Sequence, residues 1–189
     1  MKKTITLFSV IVSLFVFGSV SVYAQNDQQI QASATVVSNI SLSSSQDVNF
    51  GDVEADLNPQ PNMNPAKGKK LNVSNNAQFG YLVWSGASGD QVQISGFTSD
   101  VTLTGTNNSG STITYSPQVS AQSGDQSGGS SVGSTTLSST RNTASFSSSG
   151  KLTIWVGGKL TGSSPGSGNT TLPSDTYTGT VSITLNYTM

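Results

Sequence analysis

The sequence predicts an all-β protein, a single β-sandwich of about nine or ten strands after a cleaved N-terminal signal helix. Short runs that alternate apolar and polar residues recur along the chain, separated by clusters of Gly, Pro, Asn and Ser. No segment after residue 24 repeats apolar residues at helical spacing for long enough to form a helix. Charged residues are 9% of the chain, so uncharged polar residues must cover the surface, which suits exposed sheets better than helices.

Residues 1–24 have the order of a secretory signal peptide. Two lysines precede the apolar run Ile5–Phe17, and Val22-Tyr23-Ala24 places small residues before a cut at Gln25. The strongly apolar part is shorter than the ~20 residues of a spanning helix. We therefore expect cleavage, with an uncleaved anchor as the alternative, and no membrane span in the mature chain 25–189. The mature chain is expected in the periplasm, at the outer surface or outside the cell.

The composition argues against several classes of function. The chain contains no cysteine and no histidine, so neither a Ser-His-Asp or Cys-His nucleophile nor a zinc site with imidazole and thiolate ligands can form. Its carboxylates are scattered, and its net charge of −1 offers no basic surface for nucleic acid. We expect a protein that is not an enzyme, without a cofactor or a metal.

The clearest strand is the last one, which we predict to run unbroken from Tyr177 to Tyr187. Strict alternation over eleven residues is typical of a half-buried strand. Its apolar side chains occupy odd positions: Tyr177, Val181, Ile183, Leu185 and Tyr187.

Shorter runs predict the remaining strands. The dense run Phe79–Trp84 is typical of a central strand, and Ile30–Val36 places Ile30, Ala32, Ala34 and Val36 on one face. Further strands are predicted around Val48/Phe50, Leu71/Val73, Val92/Ile94, Val101/Leu103, Ile113/Tyr115 and Leu152/Ile154/Val156. The Ser/Gly-rich stretch at about 120–143 is predicted to be a long mobile loop or a weak edge hairpin. Gly157-Gly158 indicates a turn with positive φ or a close approach between strands.

Four features are candidates for binding. Trp84 and Trp155 could each stack on a sugar, although packing is the favoured interpretation for both. Asp52, Glu54 and Asp56 could approach a Ca²⁺ ion, but a solvated turn is favoured. The basic segment 67–70 could meet acidic glycans, but charges that protect a strand from aggregation are favoured.

Three patches carry a family resemblance: Val48-Asn49-Phe50-Gly51, the run from Phe79 to Gly86, and Leu152–Leu160 followed by Tyr177–Tyr187. In this order they resemble the bacterial domain-of-unknown-function family 4402, which is similar to spore-coat-U-like and pilin-like exported β-sandwich subunits. The resemblance spans nearly all of the mature chain. It implies an immunoglobulin-like or pilin-like sandwich and a surface or fimbrial role.

These observations lead to two hypotheses. The first is an exported structural or adhesive surface subunit, fimbria- or pilus-like, that assembles with copies of itself or related subunits by β-strand addition. Its strand-addition segments would be Ile30–Val36 and Tyr177–Tyr187. Because only Gln25–Gln29 precedes the first segment, either that run is the donor or the protein does not donate. The second hypothesis is a monomeric extracellular carbohydrate- or surface-binding module, with Trp155 as a contact to a surface glycan.

Overall fold

The computed structural model describes residues 39–163 and 171–188, so the predicted signal peptide and Ile30–Val36 lie outside the described residues. The described chain is nearly all β, with antiparallel pairing throughout, and it confirms the all-β, sandwich-like prediction. It has one 3₁₀ turn, Pro65–Lys67, and twelve strands: β1 Ser41–Gln46, β2 Asn62–Asn64, β3 Lys69–Leu71, β4 Gly80–Ser85, β5 Gln91–Ser95, β6 Val101–Gly105, β7 Thr112–Ser123, β8 Thr135–Thr136, β9 Thr143–Ser145, β10 Lys151–Ser163, β11 Tyr177–Thr178 and β12 Thr184–Tyr187.

The first sheet is built on β7 and β10, which pair from Leu152↔Ser123 to Ser163↔Thr112. Along the first half of β10 the next strands outward are β4 and then β1, which confirms a central position for the Phe79–Trp84 run. Along its second half the next strands are β2 and β3. On the other side, β7 pairs with β6 and then with β8, and β11 extends the sheet beyond β6.

The second sheet has three strands in the order β12-β5-β9 and faces the first half of β10. Val92 and Ile94 of β5 pack there with Leu152 and Ile154 of β10, and all four are 0% exposed. A fully buried aliphatic side chain contributes about 1.5–3 kcal/mol. This cluster is therefore the main core. A second cluster lies along the other half of the first sheet and includes Ile113, Tyr115 and Leu160.

The prediction of one strand from Tyr177 to Tyr187 is wrong. The segment forms β11 in the first sheet and β12 in the second, so the chain crosses between sheets at residues 179–183. Gly179 permits the crossing, because a Cβ there would lie 2.7 Å from Leu103 and 2.9 Å from the Thr102 carbonyl oxygen. The alternation itself persists, with Tyr177 packed against the second cluster and Leu185 in the main core.

The two glycines 157 and 158 do not form a turn, because β10 continues through both. The alternative prediction of close approach between strands is confirmed. A Cβ on Gly157 would lie 2.3 Å from the Met63 carbonyl oxygen, and one on Gly158 would lie 2.4 Å from that of Ser116. The Tyr115 hydroxyl donates a hydrogen bond of 2.6 Å to the Gly157 carbonyl.

The stretch 120–143 contributes to three strands: the end of β7, the two-residue β8 and the start of β9. Leu137 is buried in the main core, and its amide donates to the Val119 carbonyl. Val132, by contrast, is 59% exposed. Within the described ranges, no helix is long and apolar enough to cross a membrane.

Candidate functional site

Strand β1 forms an open edge of the first sheet. All six of its residues are exposed, and its partner is β4 on one side. Within the described chain no strand pairs with its other side. Lys151 fixes β1 to the sheet, because its ammonium group donates to the Ser43 hydroxyl at 2.8 Å and to the Ser85 hydroxyl at 2.7 Å. The edge is therefore ordered and accessible.

The second sheet does not extend over β1. Its strand β9 lies on the β7 side, because the connection from β8 to β9 begins with Leu137 bonded to β7. Its opposite edge, β12, lies over the end of β4, where the Ala87 amide donates to the Tyr187 hydroxyl at 2.8 Å. Since β12 is the edge of its sheet among the described strands, β1 protrudes beyond it.

This offset leaves a partly covered strip of apolar side chains, which we call the edge groove. Leu42 is directly opposite Trp84, so both project from the same face of the sheet. Trp84 is half-buried against the main core, whereas Leu42 is 48% exposed. The edge groove comprises Ile40, Leu42, Leu82, Trp84, Ile183 and Tyr187.

The structure brings one predicted strand-addition segment to this groove and describes nothing of the other. Ile183 and Tyr187 border the groove, and Leu185 is buried beneath them in the main core. Tyr177 and Val181 pack against the second cluster instead. Ile30, Ala32, Ala34 and Val36 lie outside the described residues.

Sequence reasoning missed β1 as part of the site. Its sequence, SLSSSQ, has a single apolar residue and no alternation, so it carries no strand signal of its own. Pairing with β4 holds β1 in an extended conformation, and the sequence alone does not show that pairing. The one usable signal was the phase shift at Ile40 and Leu42 after the Ile30–Val36 run.

Trp155 is 5% exposed, in agreement with the packing interpretation, but it does not lie between the two sheets. It is opposite Tyr81 on β4, and the two rings meet edge to face with centroids 5.7 Å apart. Its neighbours Ile154 and Val156 point into the main core. Trp155 therefore occupies the outer face of the first sheet, and its indole N–H is buried without a hydrogen-bond partner.

The charged candidates lie in exposed segments. Asp52, Glu54 and Asp56 are all exposed, and Asp56 accepts a hydrogen bond from the Asn58 amide at 3.0 Å, which agrees with a solvated turn. No group of three or more metal-ligating side chains occurs in the described part of the chain. Within the basic segment 67–70, Lys70 lies over the Phe79 ring, 5.4 Å from its centroid, and donates to the Ala77 carbonyl.

Tyr115 and Asp175 are among the ionisable groups whose pKa values are shifted by structural causes. Burial raises the pKa of Tyr115 far above its ordinary value, so its hydroxyl remains a donor to Gly157. For Asp175, desolvation acts to raise the pKa. Hydrogen bonds from the amides of Thr176, Asn108 and Asn107, and from the Asn107 side chain, outweigh it and hold the pKa below its usual range. Asp175 thereby fixes the loop between β6 and β7.

No protein-family model matches the chain, and no curated protein matches it. The resemblance to family 4402 therefore stays a prediction.

Proposed function

We propose that the mature chain is a non-enzymatic structural or adhesive subunit, exported to a bacterial surface, that forms a fimbria- or pilus-like assembly by β-strand addition. The resemblance to family 4402 supports the surface role. The edge groove carries the assembly step, because it is an apolar strip between two strands, β1 and β12, whose outer sides have no partner among the described strands.

The proposed donor is Ile30–Val36 of a second copy. Its alternation places four apolar side chains on one face. These side chains would bury the partly exposed apolar residues of the edge groove. The donor would pair its main chain with β12 and place those side chains against Leu42 and Trp84. Main-chain hydrogen bonds would supply affinity, and the alternate side chains would fix the register. The segment lies a few residues before Ile40, so each subunit would carry its donor next to its own acceptor groove.

Deletion of Gln25–Val36 tests the assembly step. The intact mature chain is expected to form SDS-resistant ladders, whereas the deleted chain is expected to be a monomer or an unstable chain. Adding a peptide of residues 25–36 to the deleted chain should raise its unfolding temperature, which separates an empty groove from a general loss of fold. Equal monomeric behaviour of the intact and deleted chains would remove the proposal.

A charge-matched pair of variants tests the register. Ile30→Asp with Val36→Asp places two carboxylates on the apolar face, while Gln31→Asp with Thr35→Asp places two on the polar face. The first pair should abolish the ladders because charges would be buried in the groove, and the second should keep them. Equal loss in both would show that the face does not matter. If the intact chain stays monomeric at every concentration while deletion unfolds it, the segment completes its own sandwich.

A further inference from the structure

The outer face of the first sheet carries a polar strip opposite to the main core. On β7 it consists of Gln118, Ser120 and Gln122, and on β10 of Thr153 and Trp155. Ser120 is directly opposite Trp155, and Gln122 is directly opposite Thr153. At the usual rise per residue, the span from Gln118 to Gln122 is about 14 Å. We call these five residues the outer strip.

Three polar atoms of the outer strip are buried without a partner: the Trp155 indole nitrogen and the side-chain oxygens of Gln118 and Gln122. Leaving a buried polar group unpaired costs about 1–3 kcal/mol. Such groups are normally satisfied by a buried water or by a bound polar molecule. The strip offers one donor and two acceptors, and none of its five side chains is charged.

A loop, Gly124–Ser134, is attached to the strip at two places, and we call it the cover. The Gln126 amide donates to the Thr153 hydroxyl at 2.9 Å, and that hydroxyl donates to the Gly124 carbonyl at 2.7 Å. At the other end of the loop, the Ser134 hydroxyl donates to that of Ser120 at 2.7 Å. Trp155 lies between these two attachment points, since it follows Thr153 by two residues and is opposite Ser120.

The cover is attached by polar contacts. Its single large apolar residue, Val132, is 59% exposed, so the cover adds no apolar side chain to the main core. Gly124 and Gly133 have φ values of 98° and 87°, a backbone conformation that other residues rarely adopt. Segments with few buried apolar contacts open at low free energy. The cover can therefore lift while the two sheets stay intact.

We propose that the outer strip is a binding site for a neutral, hydroxyl-rich ligand, a sugar unit of a glycan, which enters when the Gly124–Ser134 cover opens. A sugar hydroxyl both donates and accepts, so adjacent hydroxyls can pair with the indole N–H and the two amide oxygens. Tyr81, half-buried beside Trp155, adds an aromatic ring at the margin of the strip. This site is on the opposite face of the sheet from the edge groove and does not depend on assembly.

The absence of cysteine permits a direct test in the mature chain. In the double variant Gly68→Cys, Val132→Cys, whose Cβ atoms would lie 3.9 Å apart and neither of which belongs to the strip, oxidation should lock the cover closed and reduction should release it. The readout is the indole ¹⁵N–¹H resonance of Trp155, assigned with Trp155→Phe, with the Trp84 resonance as internal reference. The probes are N-acetylglucosamine, galactose and maltose, each titrated separately.

At least one probe is expected to shift the Trp155 resonance in the wild type and in the reduced variant, but not in the oxidised variant. Gln122→Leu should weaken that response by about fivefold, the effect of one lost hydrogen bond. Three results would overturn the site: an equal shift of Trp84, an equal response in the locked variant, or contact of the Trp155 indole proton with water alone at every sugar concentration.

Discussion

Leu42 allows a quantitative test of the edge groove. Complete burial of a leucine side chain contributes about 1.5–3 kcal/mol. Leu42 is 48% exposed in the single chain, so a docked strand could bury roughly the remaining half, worth about 1 kcal/mol. Leu42→Ala should therefore raise the concentration at half-assembly about fivefold. Because the other half is already buried in the single chain, the substitution should also lower the unfolding free energy of the donor-deleted chain by about 1 kcal/mol.

Leu71 is the matched control, because it is 40% exposed and lies on β3, away from the groove. Leu71→Ala removes the same atoms from a similarly exposed leucine, so it should not alter assembly. Sedimentation velocity over a concentration series measures both variants. Equal effects of the two substitutions, or no effect of Leu42→Ala, would refute the assignment of the groove as the acceptor.

Three further predictions concern the fold. Ile154→Ala removes a fully buried side chain of the main core and should lower the unfolding free energy by about 2–5 kcal/mol in urea denaturation; a loss below about 1 kcal/mol would contradict the core assignment. Gly157→Ala should cost about 1–3 kcal/mol, because its Cβ would meet the Met63 carbonyl, whereas Gly128→Ala, which has open space, should be near neutral. The pKa of Asp175 is lower in the folded than in the unfolded chain. Ionised Asp175 therefore stabilises the fold at pH values above its unfolded-state pKa, and this stabilisation is lost as the pH falls through its folded-state pKa. Asp175→Asn should flatten the fall in melting temperature on acidification, and an unchanged pH profile would contradict this.

Local alternation predicted the core-facing strands because a strand that is buried on one face has apolar residues at every second position. Leu152, Ile154 and Val156 show this pattern, and all three lie in the main core. The second half of β10 gave no such signal, because glycines at 157 and 158 have no side chain to alternate. What extends the strand there is its pairing with β7, which continues to Ser163↔Thr112, and on its other side with β2, whose residues lie about a hundred positions earlier.

The outer strip could not be predicted for a similar reason. From the sequence, Trp155 has apolar neighbours on both sides, which is compatible with either face being core. Its burial depends on distant segments, since Tyr81 of β4 lies against its ring and the loop Gly124–Ser134 attaches to the adjacent Thr153 and Ser120. A serine-rich segment carries no local sign of the strands to which it will attach.

The charge distribution among the strand edges adds an argument for the proposed assembly. Natural sheets commonly protect their edges with charged residues, lysine above all, because an unpaired edge can recruit another chain. The edge strand β3 follows that rule with Lys69 and Lys70. The two strands that border the edge groove do not, since β1 reads SLSSSQ and β12 reads TLNY, with neither charge nor proline. Both borders of the edge groove therefore lack the charged residues that hinder β-strand addition, as do the edge strands β9 and β11.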